Sequence, residues 1–199
     1  MTSIEIKLSK KLENGIEFSC QMCGSCCRGL NEGEVYLYKE DIIRLANFLD
    51  LKDKKGLRQF ALKYLKIIET SFYWKEPKAE RGKIYRFKTL GFKFTGDDEH
   101  CQFLVNNSCS VHKYRPFQCR CFPFWQMMVS SRRTFIDYTK KCKGLQISKG
   151  RFYSKKEILS WAKAEYEIER KFFLEMKKYN FDLSKVYPFL PKEMVNKEI

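Results

Sequence analysis

The chain predicts an α+β fold, in which short antiparallel strands and cysteine-rich loops pack with amphipathic helices and a long helix lies near the C-terminus. Three observations carry that reading. Apolar side chains recur at helical spacing in three stretches, aromatic and β-branched residues gather in short runs bounded by glycine, and the nine cysteines cluster in segments that follow neither period. At 199 residues the chain reads as a single domain, 1–199, with its cysteine motifs inside 15–150. A hydrophobic content of 44%, with 17 Phe and 11 Tyr, is enough for a core that does not depend on metal.

Residues 3–8 (SIEIKL) and 15–19 (GIEFS), with Asn14-Gly15 as the turn signal, predict a hairpin that delivers the chain into the first cysteine group. Two amphipathic helices follow. In YLYKEDIIRLANFLD the stripe is Ile42, Ile43, Leu45, Ala46 and Leu49; in KKGLRQFALKYLKII it is Leu57, Phe60, Ala61, Tyr64 and Leu65. Both stripes are assigned to the core. From 72 to 94, aromatic and β-branched residues ended by Gly91 and Gly96 predict short strands. In the second cysteine group, Asn106-Asn107-Ser108 is a turn that brings Cys101 and Cys109 together. Pro116 stops a helix from running through Tyr114 and Arg115 toward Cys119. Residues 124–129 and 134–138 flank SSRR and read as a hairpin. Ser154 and Glu157 form a capping box that opens a helix from 155 to about 179, with Ile158, Trp161, Ala162, Tyr166, Ile168, Phe172 and Phe173 on its buried side. The tail, VYPFLPKEMV, is expected to be a packed loop.

The formal charge is +15, spread along the chain among Glu and Asp, with one local excess between 132 and 156. No recognised nucleic-acid motif accompanies it, so a protein or small-molecule partner is expected before a nucleic acid. The N-terminus alternates charged and apolar residues and lacks the apolar stretch of a signal peptide. No run approaches the roughly 18 apolar residues that span a bilayer, so no membrane association is expected. A cytoplasmic location follows as the expectation, where thiols stay reduced.

Under that expectation the cysteines read as metal ligands. Cys20, Cys23, Cys26 and Cys27 stand in FSCQMCGSCC, and two C-x-x-C steps in series let thiolates converge on one ion within a tight turn. Gly24 permits close backbone approach. Cys27 is directed away from its neighbour, and so serves a second metal, bridges, or pairs with the distal group. Cys101, Cys109, Cys119 and Cys142 supply four more thiolates, enough in all for two four-ligand centres or one polynuclear site. Thiolates suit zinc and iron-sulfur clusters alike. His100 and His112 are weaker candidates, and Cys121 reads as a spare or redox-sensitive thiol. Arg115 and Arg120 are cofactor-binding candidates, since guanidinium charge stabilises anionic thiolate clusters; the alternative is a structural role, pairing with a carboxylate or capping carbonyls.

The pattern F-x-C-x-x-C-x-x-C-C, then C-x-F-L, then C-x-V-x-x-x-R-P-x-x-C-R-x-F-P-F, then an isolated C-x-G, resembles the YkgJ family of cysteine-cluster proteins, described as zinc- or iron-chelating, and is similar to the cluster-bearing part of flagellin lysine-N-methylase. The resemblance covers about residues 15–150. It implies metal ligation by Cys20, Cys23, Cys26, Cys27, Cys101, Cys109, Cys119 and Cys142. The chain departs from the family with His112 where Tyr is usual, Lys143 where Pro is common, and a thiol at Cys121 that the family does not require.

The expectation is therefore a cytoplasmic protein with an iron-sulfur centre in a redox or group-transfer role; the alternative is a zinc-binding structural or interaction module without catalytic activity. A metal-handling or cluster-delivery protein is a third, weaker reading. Whether it is an enzyme stays open. The sequence shows no glycine-rich nucleotide loop, radical-type cysteine motif or paired catalytic carboxylates, and it identifies no catalytic residue.

Overall fold

The computed structural model describes residues 5–28, 34–97 and 99–195. In chain order the elements are β1 (Ile16–Phe18), α1 (Lys39–Phe48), α2 (Lys54–Tyr64), β2 (Leu65–Trp74), β3 (Lys83–Phe92), β4 (Phe94–Thr95), β5 (His100–Cys101), β6 (Leu104–Val105) and β7 (Ser108–Cys109). There follow α3 (Phe117–Cys121), α4 (Gln126–Ser130), α5 (Arg132–Lys141), β8 (Arg151–Tyr153), α6 (Lys155–Lys178), α7 (Leu183–Val186) and α8 (Lys192–Val195). Every strand pair is antiparallel, so the fold is α+β as expected. Two compact units contain these elements. Among the described residues, no helix is long and apolar enough to cross a membrane.

The first unit draws on Met1–Gly33, Phe94–His112 and Phe117–Glu167. Its core gathers Leu12, Cys121, Phe124, Met128, Val129, Ile158 and Ala162, with Ile6 and Phe135 beside them. Each large apolar side chain buried here contributes about 1.5–3 kcal/mol. That core overrides two expectations. The hairpin predicted from 3–8 does not form: residues 3 and 4 lie outside the described set, and residues 5–9 are irregular. Ile6 and Leu12 are drawn into the core, the latter by a 3-10 turn at Lys10–Leu12, and Ser9 N donates to Val129 O at 2.8 Å. β1 pairs instead with the distant β8, Ile16 opposite Tyr153 and Phe18 opposite Arg151. Gly15, at φ +78°, serves that pairing, because a Cβ there would lie 2.5 Å from Tyr153 O.

Residues 124–129 and 134–138 are likewise no hairpin. They belong largely to α4 and α5, joined at Ser131, whose Oγ accepts from Thr134 N at 3.2 Å and caps α5. Met128, Val129 and Phe135 enter the same core from these helices, so tertiary burial outweighs the strand-like composition of the segment. The capping box holds: Glu157 N donates to Ser154 Oγ at 3.3 Å, and Glu157 Oε2 accepts from Ser154 N at 2.9 Å.

The second unit draws on Glu34–Lys93, Lys113–Pro116 and Ile168–Ile199. Asp53 caps α2 by accepting from Gly56 N at 2.7 Å. The helix stops at Tyr64 instead of running on through Ile68, because β2 begins at Leu65 and takes in Ile67 and Ile68, whose β-branched side chains fit a strand better. The short strands expected between 72 and 94 are two ten-residue strands in unbroken register from Leu65–Phe92 to Trp74–Lys83. Their inner face meets the aromatic side of α6, where Phe72 stacks on Phe173 at 4.9 Å. Tyr187 and Leu190 are buried, so the tail packs as expected, although Lys192–Val195 is a helical turn.

Candidate metal centre

All nine cysteines lie in the first unit as free thiols. Three local contacts bring their segments together. The first is made within the proximal loop. β1 hands the chain to Cys20, and left-handed backbone at Met22 (φ +49°) and Gly24 (φ +73°) turns it through the two C-x-x-C steps. Cys27 N donates to Gly24 O at 2.9 Å, closing a 3-10 turn at Ser25–Cys27. A Cβ on Gly24 would lie 2.8 Å from Leu104 Cδ1 and 3.1 Å from Asn107 O, so what this glycine demonstrably admits is the β6–β7 hairpin.

The second contact fastens the same loop to the distal group. Arg28 pairs as an isolated antiparallel bridge with His100, and its Nη2 donates to Asn107 Oδ1 at 2.5 Å. Asn106 and Asn107, both at positive φ, form the tight turn between β6 and β7, as the sequence predicts. The third contact is made by the last cysteine segment: Ser19 N donates to Gly144 O at 3.4 Å, and a Cβ on Gly144 would lie 2.4 Å from Ser19 O. Cys142, two residues earlier, is thereby delivered beside the segment that carries Cys20.

The charges of the thiols reach one another across these segments. The Cys26 thiol is raised far above its ordinary value, first by a side-chain hydrogen bond with Cys27, then by desolvation and the charges of Cys27 and Cys23. Cys26 is exposed as a residue, so the bond to Cys27 is the decisive cause. Burial pushes Cys101 up to about 11, and Cys109 and Cys26 add to it. Burial also raises Cys142 against backbone hydrogen bonds from Leu145 and Gly144, with Cys26 and Cys23 contributing. Cys23 runs the other way. Burial would raise it, but hydrogen bonds from Ser25, whose Oγ lies 3.3 Å from Cys23 Sγ, and the charge of Lys143 hold it below its ordinary value.

Cys23, Cys26, Cys27, Cys101, Cys109 and Cys142 thus share one electrostatic neighbourhood. Among the described residues, no three cysteine, histidine or carboxylate groups are already gathered to hold an ion. As a donor set, thiols carried on three docked segments fit a soft metal or a cluster. Cys20 is exposed at the mouth of the loop, and Cys119 is half-buried on α3, which begins directly after Pro116. Arg120, also on α3, places its guanidinium 5.6 Å from the centre of the Phe117 ring, and its Nε is buried. Arg115 belongs to the second unit, where its carbonyl accepts from Arg44 Nη2 at 3.0 Å. His100 pairs with Thr95 in the β4–β5 ladder, and His112 opens a 3-10 turn with its Nε2 buried.

Cys121 stands apart. Its side chain is fully buried in the core and its Sγ donates to Trp161 O at 3.7 Å, which makes it a packing residue. Ser25, Arg28 and Asn107 are the contributors that sequence reading passes over. Asn107 had a turn signal, whereas Arg28 and Ser25 had only their proximity to cysteines. The second unit has a cleft of about 440 Å³ lined by residues that include Tyr36, Tyr38, Thr70, Phe87, Glu169 and Phe172, and no cysteine lines it.

An α+β domain presenting thiols from several docked segments defines a cysteine-cluster, metal-binding protein. The chain belongs to the CxxCxxCC family, described as "Putative zinc- or iron-chelating domain", whose pattern matches residues 19–143. It is also similar to the uncharacterized protein MJ0661 of Methanocaldococcus jannaschii, 24% identical over 143 residues. That match covers 69% of this chain and 63% of the relative, so the chain spans somewhat under two thirds of the relative's length. No solved structure matches.

Proposed function

We propose that the protein carries an iron-sulfur centre in a reducing, cytoplasmic setting, with ligands drawn from Cys20, Cys23, Cys26, Cys27, Cys101, Cys109, Cys119 and Cys142. One observation carries the reading. The segments that carry Cys20, Cys23, Cys26 and Cys27, Cys101 and Cys109, and Cys142 are docked on one another through Arg28–Asn107 and Ser19–Gly144, which is more thiols on joined segments than a single tetrahedral ion takes. A polynuclear centre uses that surplus. Bound there, it supplies one-electron redox chemistry or a site for group transfer such as protein lysine methylation.

The chain's own part is to hold the donors. The Arg28–Asn107 and Ser19–Gly144 contacts position the segments, and side-chain rotation brings the thiolates inward. Arg120 offsets the negative charge of the thiolates.

Anaerobic purification with visible absorption, iron and acid-labile sulfide analysis tests this. A brown protein containing both is expected; a colourless one with stoichiometric zinc overturns it in favour of a structural zinc module. Cys23→Ser should lose most of the bound metal, and full retention would remove the proximal loop from the ligand set. Equilibrium binding of S-adenosylmethionine separates a group-transfer role from a purely redox one.

A further inference from the structure

The β2–β3 hairpin has two unlike faces. Its inner face buries Phe72 and Phe87, whereas its outer face presents Ser71, Tyr73, Ile84 and Arg86, all exposed. Tyr73 and Ile84 are cross-strand partners at 62% and 66% exposure, an unusual place for a large ring and a branched aliphatic in direct opposition. The ring has a defined seat, because a Cβ on Gly82 would lie 2.4 Å from Tyr73 Cζ and 2.5 Å from its hydroxyl oxygen. Tyr73 therefore lies across the bare backbone of Gly82.

The same hairpin and its turn carry exposed cations. Lys75, Lys78, Arg81 and Arg86 are all exposed, and none makes an ion pair with a described residue, whereas Lys83 lies over the Tyr85 ring on the inner side. Of the acids in the hairpin, Glu76 is held by Lys177, which leaves Glu69, opposite Lys88, and Glu80. The positive charge of the hairpin is thus largely uncompensated.

We propose that the outer face of this hairpin binds single-stranded nucleic acid, a base stacking on Tyr73 while Lys75, Lys78, Arg81 and Arg86 engage the backbone phosphates. An ordered, exposed aromatic on a hairpin rich in exposed cations is the combination that single strands recognise without sequence preference. An acidic protein surface needs the cations but has no use for the ring. A duplex keeps its base faces stacked internally, out of reach of Tyr73. The proposal is independent of which metal the cysteines hold.

Fluorescence anisotropy of the full, metal-loaded chain against labelled oligouridine tests it. Affinity should fall linearly with salt on logarithmic axes, and Arg86→Ala should weaken binding and reduce the slope by about 0.7 per lost phosphate contact. Tyr73→Ala should weaken binding about five- to 150-fold with the slope unchanged, while Tyr73→Phe retains it. Circular dichroism and metal content confirm that each variant is folded. Absence of salt-dependent binding, or a neutral Tyr73→Ala, overturns the proposal. Tighter binding to a duplex of the same length, or equal competition by polyglutamate, would also overturn it and point to a duplex or an acidic protein instead.

Discussion

Glu165 is a carboxylate that the metal chemistry does not use, and its environment yields a quantitative prediction. It lies on α6, and its Oε2 accepts from the backbone N of Gln126 at 2.5 Å, serving the first N–H of α4, whose N-cap Trp125 offers no side-chain acceptor. Burial raises its pKa to about 7 against the ordinary 4.5, and the Gln126 bond opposes that rise only in part. Between those values the folded state binds more protons than the unfolded state, so stability is fully present below about 4.5 and is lost as pH rises through 7. At 1.36 kcal/mol per pKa unit, the loss between pH 5 and 8 is at most about 2.5 kcal/mol, and relaxation around the charge brings it to about 1–2 kcal/mol. Glu165→Gln keeps an acceptor oxygen for Gln126 and does not titrate. Urea unfolding of both proteins at each pH gives the difference directly, with changes common to both, including metal occupancy, cancelling. The wild type should lose stability relative to the variant as pH rises from 5 to 8. A flat difference would show that Glu165 is solvated, and a difference of opposite sign would mean that the Gln126 bond outweighs burial.

Gly24→Ala should reduce metal affinity about tenfold or more in a chelator competition, since the new Cβ meets Leu104 and Asn107 at a positive φ; unchanged affinity would show that the loop need not dock on the β6–β7 hairpin. Cys121→Ser should cost about 1–3 kcal/mol in denaturant unfolding while retaining metal, and Cys119→Ser should show the converse; metal loss in the first variant would make Cys121 a ligand. Asp53→Ala should lower stability by about 0.5–2 kcal/mol through loss of the α2 cap, measured the same way; no change would mean that water serves Gly56 N equally well.

What could be read from the sequence was what is encoded locally. The Asn106-Asn107 turn, the Ser154–Glu157 box and the stripe of α6 each depend on residues a few positions apart, and each occurs as expected. The failures share a non-local cause. Nothing near Ile16 indicates that its partner is Tyr153, and the residues between 124 and 138 look strand-like until Met128, Val129 and Phe135 are seen entering a core shared with Ile158 and Ala162. The centre divides the same way. Its cysteines are local motifs, but their grouping rests on Arg28 reaching Asn107 and Gly144 meeting Ser19, contacts across 79 and 125 positions that no window of sequence contains.

These long-range contacts bear on how metal and fold are related. In a small zinc finger the unfolded chain has little apolar surface to bury, and metal binding is most of the folding free energy. Here the first unit buries Leu12, Phe124, Met128, Val129 and Ile158 in its core, and the cysteine segments are tied to their surroundings by backbone pairing and by close contacts at glycine. The segments that carry the donors are docked before any metal arrives, although no three donors are yet gathered among the described residues, so the binding free energy has side chains to order more than backbone. Mutual repulsion among neighbouring thiolates opposes that gain. Burial at Cys101 and Cys142 and the bond to Cys27 at Cys26 act first and repulsion adds to them, so these thiols stay protonated until a cation displaces the protons. Protonated thiols on docked segments bind metal in proportion to how readily those protons leave, so occupancy should rise with pH even though the scaffold, through Glu165, becomes less stable over the same range.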